Sequence, residues 1–320
     1  AVFARRCGIP SAMVVHWDEV PEQQRRHGDI RATRRLLGAA AGARATGLSR
    51  WSIPAGARNA PVHVHADEEE ILYVLDGAGT VWHEGRAFPV RAGDAIVFPA
   101  AAGAHTLFGG PVDVLAFGSG SETSLTWLPR PNVMWAAPRW LPLDGPHPFE
   151  AEAAAGPLEL PEPEAERPAW IVARDDVEPV AVRGGPTDML RADLATPGGS
   201  QRSGLRHVTV APGRCTHPLH CHTREEELFV VLDGDGVLEL LGPGGTAEHP
   251  VRRGSVVARP AGTGVSHRFR AGDRGLTLLA YGQRDSGDVV FYPTSGKLRI
   301  RGAGGVTFRV EQLDYWDGEA

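Results

Sequence analysis

His63-Val-His65-Ala-Asp-Glu-Glu-Glu70-Ile-Leu-Tyr-Val-Leu-Asp-Gly77 and His220-Cys-His222-Thr-Arg-Glu-Glu-Glu227-Leu-Phe-Val-Val-Leu-Asp-Gly234 are two copies of one pattern, 157 positions apart. Outward from this stretch the copies stay in step. Gly47-Leu48 matches Gly204-Leu205, Gly56 matches Gly213, and 14 of the 33 positions from Gly47 to Gly79 are identical to their partners. Upstream, Val14-Val-His-Trp-Asp-Glu-Val20 resembles Ile171-Val-Ala-Arg-Asp-Asp-Val177. Downstream, Gly93 and Pro99 pair with Gly254 and Pro260 at a spacing of 161, so a few residues were inserted in the hairpin between. A period this long is a duplicated domain and not a solenoid unit. The length agrees, since 320 residues is about twice the ~150 expected of one domain.

The boundary is expected in 142–168, PLDGPHPFEAEAAAGPLELPEPEAERP, which is rich in Pro, Ala and Glu and has no sustained period. That assigns 1–141 to one domain, 142–168 to a partly extended linker and 169–320 to a second domain. Within each copy the apolar period is two. Glu70–Leu75, Ala95–Phe98 and Val112–Phe117, then Glu227–Leu232, Ser255–Ala258 and Leu276–Tyr281, are short alternating or apolar runs bounded by Gly, Pro and Asp. They read as strands of a sandwich or barrel. Asp76-Gly77 and Asp233-Gly234 sit where reversals are expected, because Gly supplies the positive φ of a turn. A short helix is expected between Gly28 and Ala40, and the alternating segment after Gly304 is expected to add an edge strand. With 40 Gly and 26 Pro, the composition favours a turn-rich β protein over a helical bundle.

Composition also excludes function classes. A net charge of -6 calls for no nucleic acid, and no apolar run approaches the ~18 residues that span a bilayer. The N-terminal AVFARRCGIP lacks the layout of a secretory signal. Cys7, Cys215 and Cys221 are odd in number and have no CxxC spacing, so neither a disulfide framework nor a cysteine zinc site is indicated. A cytoplasmic location follows as the expectation. There is no GxSxG elbow, and Gly242-Pro-Gly-Gly245 reads as a hairpin loop.

The histidines carry the chemistry. Residues two apart on a strand share a face, so His63 and His65 point the same way, and Glu70 returns on the next strand with Leu72 and Val74 inward alongside it. A third histidine follows a Gly-x5-Pro turn in each half, His105 and His267. Three imidazoles and a carboxylate do not share an apolar interior cheaply; buried without compensation, the carboxylate would protonate. A divalent cation resolves this. His63, His65, Glu70 and His105 in one half, and His220, His222, Glu227 and His267 in the other, are the candidate ligands, one ion per domain. Four protein ligands leave two positions of an octahedral ion open, which favours Fe(II), with Mn, Ni, Co and Zn as other candidates. A lone His-x-His is usually a pair of surface histidines; recurrence with matched glutamates and distant histidines argues against that here.

These residues resemble the cupin superfamily. His63 through Gly77 is similar to its first motif and Gly93-Asp-Ala-Ile-Val-Phe-Pro99 through His105 to its second, and both recur in the other half. The resemblance implies two tandem cupin (double-stranded β-helix, jelly-roll) barrels, an all-β bicupin, with a metal in each. Such barrels often pair by sheet edges, so a homo-oligomer is an expected partner beside the small-molecule substrate. There are departures. Pro99 to His105 and Pro260 to His267 are one and two residues wider than usual. Oxalate decarboxylases of this fold carry an arginine three residues before the first ligand histidine, where this chain has Ala60 and His217. Gentisate-type dioxygenases generally lack the glutamate that this chain has twice.

The activity expected first is a metal-dependent dioxygenase acting on a small organic substrate, aromatic or chelating. The alternatives are a non-oxidative isomerase or decarboxylase using the metal as Lewis acid, or a non-catalytic binding protein. Trp51, Leu72, Trp82 and Phe229 are candidate pocket residues, although core packing explains them equally. His207 and His217 are candidate acid/base groups of the second site. Arg25, Arg26, Arg31, Arg34 and Arg35 read as a solvated helix face or N-terminal arm in preference to a grip on an acidic ligand. Cys221, between two ligands, faces away from them.

Overall fold

The computed structural model describes residues 14–120, 125–136, 139–141, 146–311, 313–314 and 316–318. Cys7 and the N-terminal ten residues lie outside these, as do 142–145 of the expected linker. The fold is all-β, and each repeat builds an eight-stranded and a four-stranded antiparallel sheet. Among the described residues no helix is long and apolar enough to cross a membrane.

In the first repeat the large sheet runs Ile171–Ala173, Asp94–Phe98, Glu70–His83, His105–Gly118, Gly47–Ile53, Ile30–Arg35, Glu22–His27, with Arg86–Arg91 also paired to Glu70–His83. The small sheet joins Val64–His65 to Leu125–Leu128, Val133–Ala136 and Arg139–Leu141. The second repeat reproduces both. Its large sheet ends on Val15–His16, and its small sheet joins Cys221–His222 to Val289–Tyr292, Lys297–Ile300 and Val306–Arg309. Each repeat therefore lends its first strand to the other's sheet: Val15 pairs with Val256, and Ile171 pairs with Ile96.

Alternation along the strands divides the core into three. Leu72 and Val74 lie inside the first barrel with Ile53, Phe98 and Val114, and Phe229 and Val231 lie inside the second with Phe269 and Leu278. The intervening residues, Ile71 and Tyr73 with Leu228 and Val230, join a third cluster between the barrels. Phe117 and Tyr281 occupy matching positions, opposite Ile71 and Leu228, and stack on each other at 5.1 Å where the two barrels meet. Burying both faces of these strands explains their near-continuous apolar runs.

Three local expectations are corrected. Asp76-Gly77 and Asp233-Gly234 do not reverse the chain; the strands Glu70–His83 and Glu227–Gly242 continue through them with bulges. Gly77 and Gly234 have φ of 77°, and a Cβ there would lie 2.3 and 2.2 Å from the carbonyl oxygens of Pro111 and Gly275. The strand bends because the partner backbone passes too close for any side chain. Second, Gly28–Ala40 is mostly the hairpin of Glu22–His27 and Ile30–Arg35, with only Leu37–Ala40 helical. Third, the linker holds the helix Pro148–Ala154, which packs on the strand Glu22–His27. Its Glu152 is fully buried and accepts from Arg58 (3.0 Å) and Arg130 (2.9 Å), while Arg58 also pairs with Asp29 at 2.8 Å. The expected final strand is present, Val306–Arg309, at the edge of its sheet, and Gly242 to Gly245 closes a hairpin.

Candidate metal centres

Three strands bring each cluster together. The short strand Val64–His65 belongs to the small sheet, Glu70 opens a long strand of the large sheet, and His105 opens the next, facing His63 across an isolated bridge. His220, His222, Glu227 and His267 repeat the arrangement. In the first barrel, donor atoms of His63, His65 and Glu70 lie within 4.8 Å of one another, and His105 Nε2 is 3.1 Å from Glu70 Oε2. In the second, His220, Glu227 and His267 form the tight group, and His222 Nε2 is 3.5 Å from Glu227 Oε2.

The other ring nitrogens settle which way the lone pairs face. His63 Nδ1 is 2.8 Å from the Pro61 carbonyl, His105 Nδ1 3.2 Å from that of Gly103 and His220 Nδ1 2.9 Å from that of Pro218. A carbonyl only accepts, so Nδ1–H donates and Nε2 is left to face the centre. Burial first, and then the neighbouring histidines, push His63 down to about 3. Burial likewise holds His267 at about 3, against the pull of Glu227. Burial alone would raise Glu70, but the hydrogen bond to His105 and the surrounding imidazoles bring it to about 2. A neutral His63 thus stands beside an ionised Glu70 in the first cluster.

That arrangement fits a divalent cation. Glu227 Oε2 and His267 Nε2 are buried and find no hydrogen-bond partner of acceptable geometry among the described residues, although they face each other at 3.1 Å. Two electron-rich atoms held this close need a positive charge between them. Each half therefore presents a His/Glu site suited to a divalent metal.

The three consecutive glutamates divide their work. Glu70 and Glu227 join the clusters. Glu69 crosses to the second repeat, accepting from Ser200 Oγ, Gln201 N, Arg202 N and Ser203 Oγ at 2.8–3.0 Å. Glu226 crosses the other way, to the backbone N–H groups of Arg44, Ala45 and Thr46 and to Thr46 Oγ1. Glu68 and Glu225 stand behind the second histidines, 3.8 Å from His65 Nδ1 and 3.7 Å from His222 Nδ1. The buried trio His222, Glu225 and Asp288 shares His222 with the second centre; Asp288 Oδ2 takes its Nδ1 at 2.7 Å.

A cavity of about 270 Å³ opens on the first cluster, lined by His63, His65 and Glu70 and by Arg25, Arg34, Trp51 and Phe149. Of the four expected pocket residues, the structure places Trp51 here. Leu72 and Phe229 lie in the barrel cores, Phe229 edge-on to His267 at 5.5 Å, and Trp82 sits half-buried on the strand Glu70–His83, away from the cavity. Phe98 stacks on the His105 ring at 3.7 Å. His217 packs beside His220, with ring centres 5.8 Å apart, and burial holds it at about 4. His207 instead lies near Arg174 and Asp175. Cys215 and Cys221 are buried and unbonded, and burial raises both thiols.

The reading of the arginines as a solvated helix face is corrected. Ile30 and Ala32 are buried on the inward face of their strand, and the period of two puts Arg34 on that same face, in the cavity wall. Read as a strand, the segment would have pointed Arg34 inward from the start.

A cupin-domain family model matches residues 49–108 and 206–280. The chain is a bicupin of the cupin superfamily. No curated protein matches the bicupin in sequence. Its solved structural neighbours include the oxalate decarboxylase of Bacillus subtilis, in a study of that enzyme's Mn(II) centres, at TM-score 0.59 and 18% identity over 88% of this chain and 80% of that one. The same enzyme at pH 4.6 gives 0.57 and 19% over 85% and 76%. The formate complex of the Lactobacillus farciminis oxalate decarboxylase gives 0.59 and 17% over 87% of each. At these identities the likeness carries the fold of the bicupin.

Proposed function

We propose that this bicupin is a metal-dependent enzyme that removes CO2 from a small carboxylate, without net oxidation, at the cluster of its first barrel. The observation that carries this reading is the guanidinium of Arg34 in the wall of a cavity that opens on metal-ligating side chains. An arginine in the wall of a cavity beside metal-ligating side chains is suited to bind a carboxylate. The decarboxylase names of the neighbours lend support, and the Mn(II) of one of them makes Mn(II) the first ion to test. The dioxygenase expectation and its Fe(II) find no counterpart among these neighbours. Ala60 and His217 stand where oxalate decarboxylases resembling this fold carry their arginine, so the positive charge comes from another strand and the substrate need not be oxalate.

His63, His65, Glu70 and His105 would hold the ion, which when bound would act as a Lewis acid. Arg34 binds and orients the carboxylate. Phe98, stacked on His105, keeps water from that side of the cluster. Loss of CO2 breaks a carbon–carbon bond, leaves its electron pair on the substrate carbon and calls for a proton. Glu68 lines the cavity, 3.8 Å from His65 Nδ1, and is placed to relay that proton from solvent to the substrate carbon. His220, His222, Glu227 and His267 would hold a second, more enclosed ion whose role is structural.

The experiment is to load the protein with Mn(II) and incubate it with 2-oxo and 2-hydroxy carboxylates labelled at the carboxyl carbon, following CO2 and dissolved oxygen together. Labelled CO2 without stoichiometric oxygen uptake, abolished in Arg34→Gln, supports the reading. Oxygen consumed one for one with substrate would return the dioxygenase to first place.

A further inference from the structure

The cavity above the first cluster contains more than a carboxylate clamp. Two arginines face it, and each lies on an aromatic ring. Arg34 Cζ is 5.0 Å from the centre of the Trp51 ring, and Arg25 Cζ is 5.4 Å from that of Phe149. Stacking fixes a guanidinium plane and leaves its edge for an acceptor. The carboxylates nearby are engaged elsewhere: Glu70 with the imidazoles, Glu69 with the other barrel, and Glu68 behind His65. Among the described residues Arg34 has one hydrogen bond, from Nε to Ser49 Oγ at 3.0 Å, and Arg25 Nε is buried with no partner. Burial and then the Arg25 charge lower Arg34, against the smaller pull of Glu70.

Trp51, Ala60, Ala116 and Phe149 supply apolar wall beside the polar Ser49 and Asn59. Phe149 belongs to the helix Pro148–Ala154, outside both repeats, and the buried Arg58–Glu152–Arg130 network pins that helix in place. Among the described residues the second barrel has no equivalent of this helix, and its counterpart of Trp51 is Val208. At about 30 Å³ per water-sized unit, 270 Å³ has room for roughly nine non-hydrogen atoms, more than the six of oxalate.

Resting on the proposed carboxylate chemistry, we infer that the first barrel selects a monocarboxylate with a flat aromatic body, the carboxylate on Arg34 and the ring between Trp51 and Phe149. The linker helix is then a specificity wall, and Phe149 is a specificity residue that oxalate would leave unused.

The test is calorimetric binding of mandelate, glycolate and oxalate to Mn(II)-loaded and metal-free protein, for wild type, Arg34→Gln and Phe149→Ala. Mandelate and glycolate share a head group and differ only by the ring. Wild type is expected to bind mandelate at least tenfold more tightly than glycolate or oxalate. Arg34→Gln should weaken every carboxylate by roughly 10- to 100-fold. Phe149→Ala should weaken mandelate about tenfold and leave glycolate unchanged. Far-UV circular dichroism and thermal midpoints of both variants would exclude misfolding. Oxalate bound as tightly as mandelate, or equal losses for mandelate and glycolate in Phe149→Ala, overturns the aromatic inference. The carboxylate reading survives that outcome if Arg34→Gln still abolishes binding. No dependence on Arg34 for any probe overturns both.

Discussion

Behind the second histidine of the first barrel stands a threonine hydroxyl, Thr126 Oγ1, 3.1 Å from His65 Nδ1; behind its counterpart in the second barrel stands the buried carboxylate of Asp288, 2.7 Å from His222 Nδ1. Asp288 also accepts from the N–H groups of Thr223 and Arg224, so one buried carboxylate ties the second histidine to its own ligand loop. Exposure follows the same divide at that histidine: the side chain of His65 is 19% accessible and that of His222 6%, while the third histidines, His105 and His267, are alike at 3% and 4%. Equal ligand sets have thus been placed beside an open, aromatic-walled cavity in one half and before a carboxylate brace in the other. Catalytic metal sites keep positions open and structural ones close them. Duplication supplied the ligands, and divergence around them supplied the roles.

The comparison breaks most visibly if the two sites prove interchangeable. His63→Ala is expected to abolish CO2 release, a loss of at least a thousandfold, while His220→Ala retains most turnover but lowers the thermal midpoint. Equal loss of turnover in the two, measured at full occupancy of the intact site, would remove the division of labour. The next effect concerns what holds the halves together. Glu226→Ala would leave the N–H groups of Arg44, Ala45 and Thr46 without their acceptor and should cost about 3–5 kcal/mol in denaturant unfolding, with Glu69→Ala costing a similar amount. A change under 1 kcal/mol in either would show that the apolar interface alone joins the barrels.

A smaller effect separates the braces. Asp288→Asn is expected to weaken metal at the second site by about 10- to 100-fold, and Thr126→Ala to weaken the first by less. Competition with a chelator, read separately in His63→Ala and His220→Ala backgrounds, gives both numbers, and the reverse order would contradict the bracing argument. The smallest effect is on acid stability. Burial alone would raise Glu69, but its bonds to Gln201, Arg202, Ser200 and Ser203 outweigh this and hold it below its ordinary 4.5. A depressed carboxylate contributes its stability in full above the unfolded value and loses it as pH falls through the folded one. The denaturant midpoint should therefore fall below about pH 4.5 in wild type and fall less steeply in Glu69→Gln; parallel curves would sink the assignment.

The repeat, the all-β fold and the convergence of histidines were legible because each rests on a short-range signal, a recurrence or a period of two. Placing Glu70 and Glu227 last in their triplets followed from a fixed gap to Gly77 and Gly234. What escaped were features set by distant neighbours. Val15 and Val172 sit at matching places in the repeats, yet only packing reveals that each pairs with the opposite sheet. Asp76-Gly77 carries turn residues, but the bend they make is a bulge forced by the passing Pro111 carbonyl. Phe149 lay in a stretch without periodicity, and its helix is held by Glu152 through arginines 94 and 22 residues away in sequence. Arg34 was hidden by a mistaken period, since a strand with three arginines among six residues looks like a solvated surface.

Everything rests on two clusters of inward-facing nitrogen and carboxylate atoms each holding one divalent ion. The direct measurement is the Mn(II) content of wild type, His63→Ala and His220→Ala after loading and exhaustive desalting. The account predicts two equivalents per chain in wild type and one in each variant. Two equivalents in all three, or none in wild type, would contradict it.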